Sequence, residues 1–131
     1  MKKIIVNGSF DLLHPGHIRL LNYAKGLGDY LLVAIDTDSR IRELKGYPRP
    51  YNNELERKFL IENLKPVDEV KVFNSEQELV NIIEEYRPNI MVKGDDYRGT
   101  IIVGEEFCDE IVFLERDEYS TTQKIQNIIN R

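Results

Sequence analysis

The chain has 131 residues, of which 41% are hydrophobic and 31% charged, and its formal net charge at pH 7 is −5. This length fits one domain, residues 1–131, and the apolar fraction excludes an intrinsically disordered chain. The negative charge argues against a broad face for nucleic acid, and no apolar run approaches the ~20 residues that span a membrane. Cys108 is the single cysteine, so it cannot form an internal disulfide. Because the apolar run at the amino terminus is also too short for a secretory signal, we expect a cytoplasmic protein.

Apolar, β-branched segments alternate with segments of helical period along the chain. Predicted strands cover residues 4–6, 30–35, 70–73, 90–92 and 111–114. The first helix lies between the first two strands, and the segment after the second strand is predicted to be a loop that contains Gly46, Pro48 and Pro50. This order predicts an α/β fold, a single Rossmann-like domain with a five-stranded parallel sheet and helices on both faces.

Three further helices are expected after that loop. Asn53 is a candidate N-cap for a helix that carries the apolar residues Leu55, Phe59, Leu60 and Leu64. The next helix ends before Pro88, and the last begins near Ser120. In an open α/β sheet the ligand crevice lies at the carboxyl ends of the strands, so the loops after the strands are the segments to search.

The loop of residues 7–17, after the first strand, contains both histidines of the chain. Pro15 suits the first helical position, which makes His14 the expected cap and places His17 one turn on, with Gly16 between them. The N–H groups and positive dipole end of such a helix mouth favour phosphate. Two alternatives stay open: a zinc site, although only Asp11 is an evident third ligand, and a purely structural cap.

A second phosphate-suited helix mouth is expected at Ser120, Thr121 and Thr122, although Gln123 completes a capping box that would also explain them. Basic side chains are expected between the two helix mouths and beyond them. Lys45 follows the second strand and Lys93 ends the fourth, so both are expected at the crevice rim. Most single surface cations are merely solvated. Asp95 and Asp96 are compatible with a turn, with a contact to a base or ribose, or with distant support for Mg²⁺.

These motifs resemble those of the cytidylyltransferase-like nucleotidyltransferases, whose His-x-Gly-His signature matches His14, Gly16 and His17. The resemblance implies that the histidines contact a triphosphate and stabilise the transition state, that Lys45 bridges the nucleotide and acceptor phosphates, and that Mg²⁺ accompanies the pyrophosphate. Asp11 is expected to steer a phosphate or the metal. The nucleotide-binding residues implied are Gly8, Ser9, Phe10, Asp11, Gly16, Lys93, Gly94, Asp96, Ser120, Thr121 and Thr122, and those for the acceptor are Lys45, Arg49 and Arg57.

Two subfamilies fit these motifs. The segments around Lys45, Arg49 and Lys93 look most like the adenylyltransferase half of heptose-phosphate enzymes, so the expected substrates are ATP or CTP and a sugar phosphate. The alternative is a glycerol-3-phosphate cytidylyltransferase, whose usual Arg-Thr-Glu-Gly stretch is not reproduced before Ser120, and Glu118 stands where both subfamilies tend to have glycine. A non-catalytic nucleotide-binding module is a third possibility. The resemblance further implies a homodimer.

Overall fold

The computed structural model describes residues 1–115. The expected last helix, Glu118 and the predicted site residues Ser120, Thr121 and Thr122 lie outside the described residues. Within them the strands are β1 (Lys3–Gly8), β2 (Tyr30–Asp36), β3 (Glu69–Phe73), β4 (Ile90–Gly94) and β5 (Glu110–Leu114). The helices are α1 (Pro15–Gly26), α2 (Asp38–Lys45), α3 (Glu54–Glu62) and α4 (Glu76–Tyr86), with short 3₁₀ turns at Asp95–Tyr97 and Glu105–Phe107.

The five strands form one parallel sheet in the order β3-β2-β1-β4-β5, which confirms the predicted fold class. Alternate residues of β1 serve opposite faces: Ile4 belongs to the apolar cluster that includes Leu21 of α1, and Ile5 to the cluster that includes Ile83 of α4. The strand order reverses at β1, with β2 on one side and β4 on the other. The carboxyl ends of β1, β2 and β4 therefore border one crevice, which we call the crevice below.

Side-chain caps begin all four helices, and those of α2, α3 and α4 are made by Thr37, Asn53 and Ser75. Thr37 accepts a hydrogen bond from the backbone N–H of Arg40 (3.2 Å), Asn53 from Glu56 (2.9 Å) and Ser75 from Glu78 (3.1 Å). The Asn53 cap was predicted, whereas α2 replaces part of the predicted loop. Only Ile41 of α2 is buried, so its eight residues carry too little helical periodicity to be recognised in the sequence.

The helix predicted after Asn53 is α3, but the apolar residues that indicated it are largely exposed. Leu55, Phe59 and Leu60 are 77%, 63% and 42% exposed. The residues that α3 buries are Arg57 and Ile61. The helix is confirmed, and its buried face holds an arginine that the apolar pattern did not indicate. No helix within residues 1–115 is long and apolar enough to cross a membrane.

Candidate functional site

The two histidines lie at the amino end of α1, as the sequence predicted. His14 is the N-cap and has an extended backbone, Pro15 is the first helical residue, and His17 is the third. The imidazole rings stack with their centroids 3.9 Å apart and their planes 25° apart. His14 is 8% exposed, and it lines a groove of about 520 Å³ together with Leu13, Pro15, Ile18, Arg19 and Asn22.

The histidine pair forms a capping box. His14 Nδ1 accepts a hydrogen bond from the N–H of Gly16 at 3.1 Å, and His17 Nδ1 accepts one from the N–H of His14 at 3.2 Å. A neutral imidazole has one acceptor and one N–H donor, so these bonds assign the proton of each neutral ring to Nε2. The backbone thus fixes both tautomers, with the N–H of each ring at Nε2.

The loop that leads into α1 is tight. Phe10 and Leu12 both have left-handed backbone angles (φ 51° and 55°), which non-glycine residues rarely adopt. The Phe10 ring, 5% exposed, lies 5.2 Å from that of His17. Gly8 permits this packing because a Cβ there would come within 3.2 Å of the Phe10 ring. Unusual backbone angles of this kind cluster at functional sites.

Asp11 is an internal anchor in this structure. Its side chain is completely buried, and it accepts hydrogen bonds from Arg49 Nε (3.1 Å) and from the backbone N–H groups of Tyr51 and Asn52 (both 2.9 Å). These bonds tie the α2–α3 loop to the loop after β1. The expectation that Asp11 meets a phosphate or a metal is therefore revised, because its carboxylate is inside the protein and already holds three donors.

Arg57 is also internal. Its side chain is 0% exposed, Nη1 donates to the carbonyls of Ser9 (2.9 Å) and Asp36 (2.7 Å), and Nη2 donates to the Asp38 carboxylate at 2.8 Å. Its Nε donates to the carbonyl of Asn52 at 2.9 Å. The guanidinium thus joins the ends of β1 and β2 to α2 and α3. The predicted acceptor contact is corrected to this supporting position beneath the crevice.

Lys45 and Lys93 lie on opposite sides of the β1 end, where strand-end reasoning expected them. Lys45 Nζ donates to Ser9 Oγ at 3.3 Å, and Lys93 Nζ donates to Asn7 Oδ1 at 3.0 Å. The loss of solvent around each ammonium group lowers the pKa of both lysines, and Arg49 lowers that of Lys45 further. Two cations flank the histidine loop, which suits an incoming polyanion.

Asp36 is a crevice residue that the sequence interpretation missed. It is the last residue of β2, its side chain is 14% exposed, and Oδ2 lies 3.9 Å from Arg40 Nε. Burial raises the pKa of Asp36, while Arg40, Lys45, Arg57 and Lys93 lower it by a smaller amount. Its position directly after a buried strand was the signal that would have identified it.

The segment after β4 is built around Gly94. A Cβ at this position would lie 2.7 Å from Asp96 Oδ1, so a larger residue would require the Asp96 side chain to move. Asp95 pairs with Arg98 Nε at 2.7 Å, and Lys93 Nζ lies 4.7 Å from the centre of the Tyr97 ring. Gly94 and Asp96 thus lie beside Lys93, and contact between them and a nucleotide stays a prediction.

Among the described residues, few side chains are placed to bind a metal ion directly or to act as a covalent nucleophile. Within residues 1–115 no group of three or more His, Cys, Asp or Glu side chains could hold a metal ion. A Mg²⁺ ion carried on nucleotide phosphates needs few protein ligands, and the expected Mg²⁺ stays a prediction. Burial, with smaller contributions from Asp109, Glu106 and Glu105, raises the pKa of Cys108 to about 11, which keeps the thiol protonated and weakly nucleophilic at neutral pH.

The sequence is similar to proteins of one family. A family model described as cytidylyltransferase-like matches residues 5–127. Bifunctional protein HldE of Aliarcobacter butzleri (strain RM4018) is 40% identical over 131 residues, which cover 97% of this chain and 27% of that protein. Bifunctional protein HldE of Helicobacter pylori (strain ATCC 700392 / 26695) is 44% identical over 128 residues, covering 97% and 28%. The chain thus spans little more than a quarter of these curated relatives.

Solved structures share the fold. The lipopolysaccharide core biosynthesis protein from Thermoplasma volcanium GSS1 matches with a TM-score of 0.71 and 28% identity, over 92% of this chain and 99% of that one. Pantoate-beta-alanine ligase from Francisella tularensis, complexed with beta-gamma ATP and beta-alanine, matches with a TM-score of 0.61 over 95% of this chain and 65% of that one. At 18% identity the second match indicates the fold alone.

Proposed function

The chain belongs to the cytidylyltransferase-like family of nucleotidyltransferases, and we propose that it transfers a nucleoside monophosphate from ATP or CTP to a sugar phosphate of the heptose 1-phosphate kind. The observation that carries this proposal is the stacked pair of His14 and His17 at the mouth of α1, with Lys45 and Lys93 on either side. A helix mouth alone would serve a binding protein. Two oriented N–H donors and two flanking cations suit charge that develops during a transfer.

The proposed reaction needs no general base. The second pKa of a phosphate monoester is about 6, so the acceptor is mostly a dianion at neutral pH. One of its oxygens attacks the α-phosphorus of the nucleotide, and the bond from that phosphorus to the bridging oxygen breaks. The electron pair of that bond leaves with pyrophosphate, so no proton has to be removed from the acceptor.

The protein contributes positioning and charge neutralisation. We assign the Nε2–H donors of His14 and His17 and the backbone of Gly8, Ser9 and Phe10 to the triphosphate. Lys45 is assigned to both the nucleotide and the acceptor phosphate, and Arg49, held by Asp11, to the acceptor side. Mg²⁺, when bound to the phosphates, offsets the charge of the departing pyrophosphate. Ser120, Thr121 and Thr122 are proposed to complete the triphosphate site.

A sugar phosphate is preferred as the acceptor for two reasons. The loops around Lys45, Arg49 and Lys93 resemble those of the heptose-phosphate type. The similar structure from Thermoplasma volcanium belongs to a protein of lipopolysaccharide core biosynthesis, which is consistent with a saccharide acceptor. Glycerol 3-phosphate with CTP is the second candidate, because that subfamily shares the histidine motif and the segment at Gly94.

The test is a pyrophosphate-release assay with ATP or CTP and either heptose 1-phosphate or glycerol 3-phosphate. We expect a preference of roughly 10⁴-fold in kcat/KM for the sugar phosphate, because polar groups built for its hydroxyls would be left unpaired by glycerol 3-phosphate. A clear preference for glycerol 3-phosphate with CTP would replace the acceptor and keep the reaction class. Binding of nucleotide without release of pyrophosphate from any pair of nucleotide and acceptor would contradict the proposed transferase activity.

The implied homodimer is a separate proposal that analytical ultracentrifugation would test.

A further inference from the structure

Asn7 is a polar side chain at the carboxyl end of β1 to which the proposed reaction assigns no task. β1 is the central strand of the sheet, and Asn7 lies opposite Ala34 of β2. Because side chains alternate along a strand, Asn7 shares a face with Ile5, which belongs to the same apolar cluster as Met91 of β4. Asn7 is only partly exposed there. A half-buried amide in a central strand costs free energy unless a partner satisfies it.

The partner of Asn7 is Lys93. The two residues lie two positions beyond Ile5 and Met91, which are paired in register across β1 and β4. The ammonium group of Lys93 donates a hydrogen bond to Asn7 Oδ1 at 3.0 Å. An ammonium group has donors and no acceptor, so the amide atom that faces it must be the oxygen. The contact therefore fixes the orientation of both side chains.

A second contact restrains the same ammonium group. Lys93 Nζ lies 4.7 Å from the centre of the Tyr97 ring, which belongs to the 3₁₀ turn after β4. Asn7 and Tyr97 are both neutral, so they restrain the lysine without neutralising its charge. A lysine side chain has many rotamers, and ordering it costs free energy when a ligand binds. Because Lys93 is already held in place, that cost is lower.

We propose that Asn7 is a positioning residue that holds the ammonium group of Lys93 at the crevice for the nucleotide. This inference rests on the proposed function, since it assumes that Lys93 contacts the nucleotide. The amide suits the task better than either alternative. A carboxylate at position 7 would offset the charge of Lys93 and repel phosphates, whereas an apolar side chain would leave the ammonium group without its acceptor.

The experiment is a double-mutant cycle between positions 7 and 93 in the pyrophosphate-release assay. KM for the nucleotide and kcat are measured for wild type, Asn7→Leu, Lys93→Met and the double variant. A second cycle uses Asn7→Ala in case leucine impairs folding, which urea unfolding of every variant reports. Asn81→Leu is the matched control, because Asn81 Oδ1 also accepts a side-chain hydrogen bond, from Gln77 at 2.9 Å, on the exposed part of α4.

We expect Asn7→Leu and Asn7→Ala to raise KM about tenfold, as the loss of one hydrogen bond to a charged group predicts. Their kcat should change by less than about threefold, because the contact orders a group that binds the nucleotide. In the Lys93→Met background the same substitutions should change KM by less than about twofold, because the group that Asn7 holds is gone. Asn81→Leu should keep the wild-type KM.

Equal increases of KM in both backgrounds would overturn the inference, because a merely structural asparagine weakens the site whether or not Lys93 is present. A wild-type KM in both Asn7 variants would also overturn it. Activity of the wild-type protein leaves the proposed function intact in either case. A wild-type protein that neither binds ATP or CTP in isothermal titration calorimetry nor releases pyrophosphate would overturn the proposed function together with the inference.

Discussion

The two loops that border the crevice are held in place by different means. The loop after β1 is fixed by contacts between near neighbours: His14 accepts from Gly16, and His17 accepts from His14. The α2–α3 loop, which carries Arg49 and directly follows Lys45 of α2, is fixed from outside. Asp11 is 38 to 41 residues away from the groups it holds there, and Arg57 reaches back 48 residues to Ser9.

The difference separates two kinds of functional residue. In the histidine loop the residues that support the geometry are also the residues assigned to the chemistry, so structure and activity depend on the same side chains. At the α2–α3 loop the support comes from Asp11 and Arg57, which are buried, and the assigned chemistry from Lys45, which is exposed. Substitutions that separate support from chemistry are therefore the means of testing this contrast.

The largest effect is expected when the histidines lose their Nε2–H donors but keep their capping role. Asn is a good N-cap and Gln completes a capping box at the third helical position. We predict that His14→Asn and His17→Gln each lower kcat by ~10²- to 10³-fold with little change in stability, as expected for loss of a preorganised donor. Steady-state kinetics and urea unfolding test this. Near-normal turnover in both variants would show that the pair is a structural cap only.

The next effect is on folding. Replacement of Arg57 by methionine leaves buried carbonyls of Ser9 and Asp36 without their donor and removes the ion pair with Asp38. We predict a loss of about 3 kcal/mol in the free energy of unfolding, measured in urea. The control is Arg42→Met on the exposed side of α2, for which the change should stay within about 0.5 kcal/mol. A stable Arg57→Met protein with weakened acceptor binding would restore the direct contact that the sequence suggested.

Substitution of Lys45 should have the opposite effect, with activity lowered and stability unchanged. We predict that Lys45→Ala lowers kcat/KM by about 30-fold, because an exposed cation that meets phosphates is removed. Lys71→Ala serves as the control: Lys71 lies on the edge strand β3, where it pairs with Glu69 at 3.9 Å. Its kcat/KM should change by less than about twofold. Similar losses in the two variants would assign the effect to general surface charge.

The smallest expected effect is a shift in pH dependence. The pKa of Lys45 is lowered by loss of solvent, so Lys45 loses its positive charge at a lower pH than an ordinary lysine as the pH rises. We predict that kcat/KM falls on the alkaline side at a lower pH than the titration of an ordinary lysine would give. Because arginine stays charged, Lys45→Arg should lose a smaller fraction of its pH 8 activity than wild type does as the pH is raised. An unchanged alkaline limb would exclude Lys45 as the titrating group.

Local sequence determined most of what is known of the histidine loop and of the sheet. The runs of β-branched residues gave the five strands, and Pro15 beside His14 and His17 gave the start of α1, because strand propensity and helix capping depend on near neighbours. The parallel direction of the strands and the helices on both faces of the sheet followed from the alternation of strands and helices. The family resemblance rests on the same short motifs.

Only the tertiary structure decided the positions of the charged residues. Asp11, Asp36 and Arg57 are all polar residues next to strands or on a helix, and nothing in their neighbouring sequence distinguishes an internal tie from a ligand contact. Arg57 is buried because the distant carbonyls of Ser9 and Asp36 and the Asp38 carboxylate converge on it, whereas the apolar side chains earlier and later in the same helix remain exposed. Burial of a charge depends on partners that folding brings together from far along the chain, and the periodicity of one helix cannot encode them.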